Sequence, residues 1–138
     1  MSQYYLIFIP ISALFITQAI KLSVDSIKGN FTWYHLINDY GGMPSSHSAF
    51  VSAIATEIAL TQHGGIKSPL FAITLFLAII VIRNAKGIRN DISKANQEIN
   101  KLSNNKVNLK ERLGHTSVEI FIGCVIGIII AVIGVFLV

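Results

Sequence analysis

Two apolar runs, one near each end of the chain, are each long enough to cross a lipid bilayer as a helix. The first extends from Tyr4 to Ile20 and is closed by Lys21, and the second extends from Ser117 to Val138. A helix needs about 20 apolar residues to span the hydrocarbon core, with about 17 as the lower limit. These runs predict a chain that folds in lipid, where helices pair their backbone polar groups internally.

The composition agrees with lipid as the solvent. Apolar residues make up 52% of the 138 residues and charged residues only 13%, whereas an ordinary soluble domain carries about 25% charged residues. The length predicts a single domain over residues 1–138. The chain has one cysteine, Cys124, which lies within an apolar run. Because there is no second cysteine, an intrachain disulfide and a metal site built on cysteines are excluded.

Two shorter apolar segments, from Ser48 to Gln62 and from Ser68 to Ile82, lie between the long runs. The stretch His63–Pro69 that separates them is rich in helix breakers, so the two segments are predicted to form a hairpin that crosses and returns. The expected count is therefore about four transmembrane helices.

Four spans would place two longer loops on one face of the membrane and both termini on the other. The loops run from about Lys21 to His47 and from Arg83 to Thr116. Ten of the eleven basic residues fall in these loops: Lys21, Lys28, Arg83, Lys86, Arg89, Lys94, Lys101, Lys106, Lys110 and Arg112. The positive-inside rule predicts a multi-pass protein of the cell membrane with cytoplasmic loops and both termini outside. It also accounts for the net charge of +4 without nucleic-acid binding.

The second loop contains a predicted amphipathic helix. Apolar residues recur at spacings of four and three: Ile88, Ile92, Ala95, Ile99 and Leu102. Such a helix could lie on the membrane surface, pack on the bundle or pair with a second subunit. The predicted fold is an all-α polytopic membrane bundle of about four transmembrane helices plus this cytoplasmic helix. A bundle this thin also makes a homodimer an expectation.

The first stretch whose residues could take part in catalysis is GGMPSSHS. It includes Gly42 and His47 and lies where the second span begins. Glycines leave the backbone open to a ligand, and proline and serines suit the first turn of a helix. The N–H groups of that turn attract phosphate. A histidine there could donate a proton to a group leaving the phosphate.

The second stretch, LGHTSVE, lies at the start of the last span. His115 and Glu119 are four residues apart, so they share one helical face. A carboxylate at that spacing could hold the imidazole in one tautomer and stabilise its cation, which suits a nucleophile or a general base. The predicted topology places both stretches on the same membrane face, where two histidines, a carboxylate and several cations could converge.

These residues carry a family resemblance. GGMPSSHSA, followed much later by LGHTSVEIFIG, resembles the divergent branch of the type 2 phosphatidic acid phosphatase superfamily. The resemblance implies a phosphatase without metal or cofactor that acts through a phosphohistidine on a lipid-linked phosphate or diphosphate. It assigns His115 as the nucleophile, Glu119 as its orienting group and His47 as the proton donor. The substrate-binding residues would be Lys21, Gly42, Ser45, Ser46, Arg89 and Arg112.

The sequence also departs from the superfamily pattern. Leu109 stands where the superfamily's third motif has an arginine, with Arg112, Arg89 or Arg83 as substitutes, and Asn84 stands where an acidic residue is common. These departures favour a rival interpretation, a binding or transport protein that holds a lipid phosphate in the same pocket without cleaving it. A third alternative is a structural membrane protein that acts through its amphipathic helix and the Gly-x-x-x-Gly pattern of Gly123 and Gly127.

Overall fold

The computed structural model describes residues 5–27, 42–104 and 106–138, and all regular structure in these ranges is helical. Numbered over the described residues, the α-helices are α1 (Tyr5–Ile27), α2 (Ser46–Thr61), α3 (Pro69–Lys86), α4 (Ile88–Leu102) and α5 (Ser117–Leu137). A short 3-10 helix, Gly65–Lys67, connects α2 to α3. The all-α membrane bundle expected from the sequence is confirmed.

Three helical segments of the described chain are long and apolar enough to cross a membrane: Tyr5–Ile27, Pro69–Leu102 and Ser117–Leu137. The segment Pro69–Leu102 joins α3 to α4 across Gly87. The second of the four expected spans corresponds to α2, which has only 16 residues. At 1.5 Å per residue α2 is about 24 Å long, shorter than the roughly 30 Å hydrocarbon core.

The short helix α2 is nevertheless the centre of the bundle, because it packs against α1, α3 and α5. Its buried side chains are mostly small or polar, and they include Ala49, Val51 and Ala53. By contrast, large apolar side chains of α1, α3 and α5 face outward, as Phe8, Phe76 and Phe121 show. This distribution is the reverse of a soluble bundle and fits helices surrounded by lipid.

Glycines allow α5 to pack tightly on α2. A Cβ at Gly123 would overlap the carbonyl oxygen of Ser45, and a Cβ at Gly127 would overlap the carbonyl oxygen of Ala49. The hydroxyl of Ser52 reinforces this contact by donating to the carbonyl of Cys124 at 3.1 Å. The Gly-x-x-x-Gly pattern therefore serves helix packing within the chain.

Contacts between helix ends show that successive spans run in alternating directions. The backbone N–H of Ser45, just before α2, donates to the carbonyl of Glu119 in the first turn of α5 (3.2 Å). The N–H of His115, just before α5, donates to the carbonyl of Ala85 at the end of α3 (3.1 Å). Lys21 in the last part of α1 lies against Gly42. We call the end of the bundle where these residues meet the motif end.

The turn His63–Pro69 lies at the opposite end and has the expected hairpin character. Gly64 and Gly65 adopt positive φ values of 91° and 52°, which glycine tolerates without strain. Ser68 then caps α3 by accepting a hydrogen bond from the N–H of Phe71 at 3.1 Å. Most of the first predicted loop, residues 28–41, lies outside the described residues, as does Tyr4 at the expected start of the first span.

The predicted amphipathic helix is α4, which begins one residue after α3 ends. Among the residues that the structure describes, its polar side and not its apolar side contacts the other segments. Ser93 and Asn100 are buried, whereas Ile88 and Leu102 are 62% and 83% exposed. The sequence left three placements for the apolar face: on the membrane surface, on the bundle or against a second subunit. In the described structure this face does not pack on the bundle.

Candidate functional site

The two motifs meet at the motif end of the bundle, where Glu119 is the connecting residue. Its backbone carbonyl accepts the hydrogen bond from Ser45 in the first motif. Its carboxylate accepts at Oε2 from the N–H of Thr116 (3.0 Å) and lies 3.2 Å from Nδ1 of His115. This carboxylate is therefore both a helix cap and the partner of His115.

The capping box orients this carboxylate. Thr116 accepts a hydrogen bond from the N–H of Glu119 at 3.3 Å while the Glu119 side chain bonds back to the Thr116 N–H. The reciprocal pair satisfies two backbone donors that the start of a helix leaves open. The capping-box pattern is visible in the sequence as TSVE, residues 116–119, although Thr116 was not among the predicted site residues.

His115 is almost completely buried, with 1% of its surface exposed. Its Nδ1 faces Glu119, and its Nε2 is also buried. When a carboxylate accepts from Nδ1–H, the lone pair of the neutral imidazole is on Nε2. In the tautomer that carries its proton on Nδ1, this geometry suits Nε2 to nucleophilic or basic chemistry.

Arg112 binds Glu119 rather than standing apart as a cation for a ligand. Its Nη2 lies 2.7 Å from Oε1 of Glu119, and the arginine side chain is 67% exposed while the carboxylate is nearly buried. The order Arg112–Glu119–His115 holds the carboxylate in place behind the imidazole. Arg112 was predicted as a substrate-binding residue, and its closest described contact is with the catalytic candidate Glu119.

Lys21 is a buried cation close to the first motif, with 3% of its surface exposed. A Cβ placed on Gly42 would lie 3.1 Å from Cε and 3.9 Å from Nζ of Lys21. Gly42 therefore provides the space into which the lysine side chain extends, and its φ of 156° also favours glycine. The structure brings these two predicted residues together.

The first turn of α2 contributes Ser45, Ser46 and His47. Ser45 is the N-cap residue, but its side chain accepts no hydrogen bond from the α2 backbone; its hydroxyl instead accepts from Ser48 at 2.9 Å. By contrast, Ser68 and Thr116 do cap α3 and α5. The start of α2 is thus a helix N-terminus of the kind that binds anions. Ser45 and Ser46 are buried and His47 is half-buried, with its Nδ1 buried.

Arg89 lies in the first turn of α4, and its neighbour Asn90 contacts the second motif. The Asn90 side chain donates to the carbonyls of Lys86 (2.5 Å) and His115 (3.4 Å). A Cβ on Gly114 would overlap Asn90, so glycine is required for this approach. The first turn of α4, which contains Arg89, therefore packs against Gly114 and His115.

The polar face of α4 also binds the segment that precedes the second motif, a role that sequence reasoning missed. Asn100 exchanges two hydrogen bonds with the backbone of Leu109, at 2.8 and 2.9 Å. Ser93 accepts from the N–H of Leu113 at 2.9 Å. The spacing of Asn90, Ser93, Gln97 and Asn100 was a visible signal of a polar helical face, but nothing in it named the partner.

A polar cavity of about 390 Å³ lies between α4 and this segment, next to the second motif. Lys94, Arg112 and Glu111 contribute its charged groups, and His115 and Thr116 also border it. No group of three or more histidine, cysteine, aspartate or glutamate side chains that could hold a metal ion occurs in the described parts of the chain.

The fold and the two motifs that meet at the motif end define a class of helical membrane proteins. Comparison with known proteins identifies the family. The chain belongs to the Divergent PAP2 family, whose match covers residues 2–130. The uncharacterized membrane protein YuiD of Bacillus subtilis (strain 168) is 34% identical over 142 aligned positions, with 89% of each chain covered. No solved structure matches the chain. The family resemblance expected from the two motifs is confirmed, and the chain is a membrane protein.

Proposed function

We propose that this protein is an integral membrane phosphatase that hydrolyses a lipid-linked phosphate or diphosphate through a phosphohistidine on His115. The observation that carries the proposal is the buried contact between Nδ1 of His115 and the Glu119 carboxylate, 3.2 Å long, at the point where the first motif is bonded to the same glutamate. The carboxylate that faces the imidazole is itself held by Arg112, 2.7 Å from Oε1.

In the proposed first step, Nε2 of His115 attacks phosphorus and the bond to the lipid oxygen breaks. His47, as the imidazolium, gives its proton to that leaving oxygen. The positive charge that develops on His115 is stabilised by Glu119, because Nδ1–H points at the carboxylate. In the second step water attacks the phosphohistidine, its proton passes to the now neutral His47, and inorganic phosphate leaves.

The phosphate oxygens would be held by three kinds of donor. Lys21 supplies a buried ammonium, the first turn of α2 supplies backbone N–H groups together with Ser45 and Ser46, and Arg89 supplies a guanidinium from α4. Donors fixed before the substrate arrives stabilise developing charge without reorganisation. Because Arg112 contacts Glu119 at 2.7 Å, we assign it the positioning of that carboxylate.

A site at the motif end suits a lipid substrate, since its headgroup lies at the membrane surface while its tail stays in the bilayer. We further propose that the motif end faces the cytoplasm, as the positive-inside rule predicts. Most of the basic residues of the described chain lie at or beyond the ends of the spans that meet there, on α4 and the segment that follows it.

The direct test is release of phosphate from a panel of lipid phosphates and diphosphates by purified protein in detergent. His115→Ala should abolish release, and the matched control His63→Ala should not, because His63 is exposed in the turn at the opposite end. Release by His115→Ala at the rate of the unaltered protein would reject the mechanism.

A second candidate function is binding or transport of a lipid phosphate without cleavage. Leu109 stands in place of the expected arginine and bonds through its backbone to Asn100, while Arg112 is engaged by Glu119. Both observations reduce the number of cations available for a phosphate. Saturable binding of a labelled lipid phosphate, with no release of phosphate by any preparation, would favour this candidate.

A further inference from the structure

An apolar groove of about 390 Å³ lies between α3 and α5, and its floor is α2, which packs against both. We call it the α2 groove. Its floor consists of small side chains and its walls of large apolar ones. The small ones are Ser52, Ala55, Thr56 and Ala59, and the large ones include Phe71, Leu75, Ile82 and Ile128. The proposed phosphate chemistry does not use this groove.

The groove offers an occupant an almost entirely apolar surface, although two hydroxyl groups line it. Ser52 donates to the carbonyls of Ala49 (3.0 Å) and Cys124 (3.1 Å), and Thr56 donates to the carbonyl of Ser52 (2.8 Å). Both hydroxyls are therefore bonded within the bundle. A polar headgroup in the groove would lose its hydrogen bonds to water without replacement, so the surface suits hydrocarbon.

The groove begins about one helical turn from the two motifs. On the α3 wall, Ile82 precedes Ala85 by three residues, and the carbonyl of Ala85 accepts the N–H of His115 at 3.1 Å. On the α5 wall, Cys124 directly follows the glycine that packs against Ser45 of the first motif. Both walls thus connect the groove to the candidate site at the motif end.

From the motif end the groove runs along the helices into the bilayer. Between Ile82 and Phe71, at 1.5 Å per residue, α3 covers about 16 Å, close to half of the roughly 30 Å hydrocarbon core. A lipid with its headgroup at the motif end directs its hydrocarbon chain the same way and to a similar depth. The groove therefore matches a lipid chain in direction and in length.

The width of the groove distinguishes a lipid chain from a helix of another subunit. Spread over about 16 Å, a volume of about 390 Å³ corresponds to a cross-section of about 24 Å². A helix with its side chains is about 10 Å wide and fills about 80 Å². The small residues that would let a helix approach, Ala55 and Ala59, are half-buried on the floor, whereas Leu75 (42%) and Ile128 (44%) on the walls are exposed. One hydrocarbon chain fits this space and a helix does not.

We infer that the α2 groove binds one hydrocarbon chain of a lipid-linked phosphate whose phosphate group lies at the motif end. The inference rests on the proposed function only in taking a lipid phosphate as the ligand of that end, and it holds equally if the ligand is bound without cleavage. A chain held in the groove would place the phosphate beside His115 and would favour lipid phosphates over soluble phosphate esters, which have nothing to fill the groove.

Photocrosslinking tests this placement without relying on phosphate release. The probe is hexadecyl phosphate with a diazirine either next to the headgroup or at the end of the chain, added to His115→Ala protein in phosphatidylcholine vesicles. Mass spectrometry should find the first label near Ile82 and Cys124 and the second near Leu60 and Phe71, which line the two ends of the groove. Unlabelled hexadecyl phosphate should remove both labels, and hexadecanol should not.

Two results of this experiment would overturn the inference. One is labelling spread equally over outward-facing side chains such as Phe8, Phe76 and Phe121, which are exposed on three helices. The other is displacement of the label by hexadecanol as effectively as by hexadecyl phosphate. Either result would show that the groove takes ordinary bilayer lipid and does not select a lipid phosphate.

A variant that narrows the groove gives a second readout. Ala59→Phe places a large side chain on the floor, so labelling by the chain-end probe should fall roughly tenfold, the effect of a poor fit in an apolar pocket. Ala72→Phe is the matched control, because Ala72 is exposed on α3 and does not line the groove. Equal labelling of the two variants would overturn the inference. Groove labelling in a protein that releases no phosphate from any lipid would reject the proposed function and leave this inference standing.

Discussion

The carboxylate of Glu119 lies 3.2 Å from Nδ1 of His115, while the backbone carbonyl of Glu119 accepts a hydrogen bond from Ser45. One residue in the first turn of α5 thus orients the proposed nucleophile and joins the second motif to the first. The two motifs are about 70 residues apart in sequence, and their meeting at one end of the bundle follows from the alternating direction of the spans.

Glu119→Gln should lower the rate of phosphate release while leaving the fold nearly intact. The amide can still accept from the N–H of Thr116, but it does not stabilise the imidazolium and loses the charge that Arg112 binds. By analogy with replacing the carboxylate of a catalytic triad, kcat should fall roughly 100- to 10,000-fold. Glu98→Gln is the matched control, because Glu98 pairs with Lys101 on the exposed surface of α4. Equal activity of the two variants would contradict the role of Glu119.

Arg112→Ala and Lys21→Met should affect different kinetic constants. Loss of Arg112 loosens Glu119 by about 1 kcal/mol, the value of a partly exposed ion pair, so kcat should fall about fivefold with KM little changed. Loss of Lys21 removes a cation assigned to the phosphate, so KM should rise as well. A rise in KM alone for Arg112→Ala would place this arginine on the substrate instead.

Gly127→Ala should destabilise the bundle more than Gly134→Ala. The added methyl group at position 127 would overlap the carbonyl of Ala49 and the hydroxyl of Ser52, and backbone cannot move aside cheaply. At position 134 its nearest neighbours would be side-chain atoms of Ile9, which can move. We expect a loss of about 1–3 kcal/mol for Gly127→Ala, the usual range for overpacking, measured by thermal unfolding in detergent. A larger loss for Gly134→Ala would show that α2 and α5 are not the tightest contact.

Asn100→Ala should loosen the segment that leads into the second motif. Asn100 is buried and bonds to Leu109 and to the Glu111 side chain (2.9 Å), so its removal leaves backbone groups of Leu109 without these partners at a cost of about 1–3 kcal/mol. Faster amide hydrogen exchange over residues 106–113 is the expected signature, together with lower activity. Lys94→Ala serves as the control, because Lys94 is exposed on the same helix. Unchanged exchange in Asn100→Ala would show that α4 does not hold this segment.

Much of the fold was predictable because lipid imposes long apolar runs and the positions of Lys and Arg mark the loops. The helical hairpin, the amphipathic helix and the meeting of His115 with Glu119 all follow from local spacing. The shortness of α2 was visible in the sequence, where the segment from Ser48 to Gln62 is below the length of a full span. Its central place in the bundle was not, because its buried face consists of small residues that packing selects rather than hydropathy. The contact of Arg112 with Glu119 and the binding of Leu109 by Asn100 depend on how α4 turns after Gly87, which no local pattern encodes.

Trapping of the phosphorylated protein tests the central claim most directly. The protein should be mixed with a lipid phosphate radiolabelled on phosphorus, quenched in alkali and digested, because phosphohistidine survives base and is cleaved by acid. The account predicts an acid-labile label on the peptide that contains His115, and no label in His115→Ala. A label that persists in His115→Ala, or a protein that releases phosphate without ever carrying the label, would contradict it.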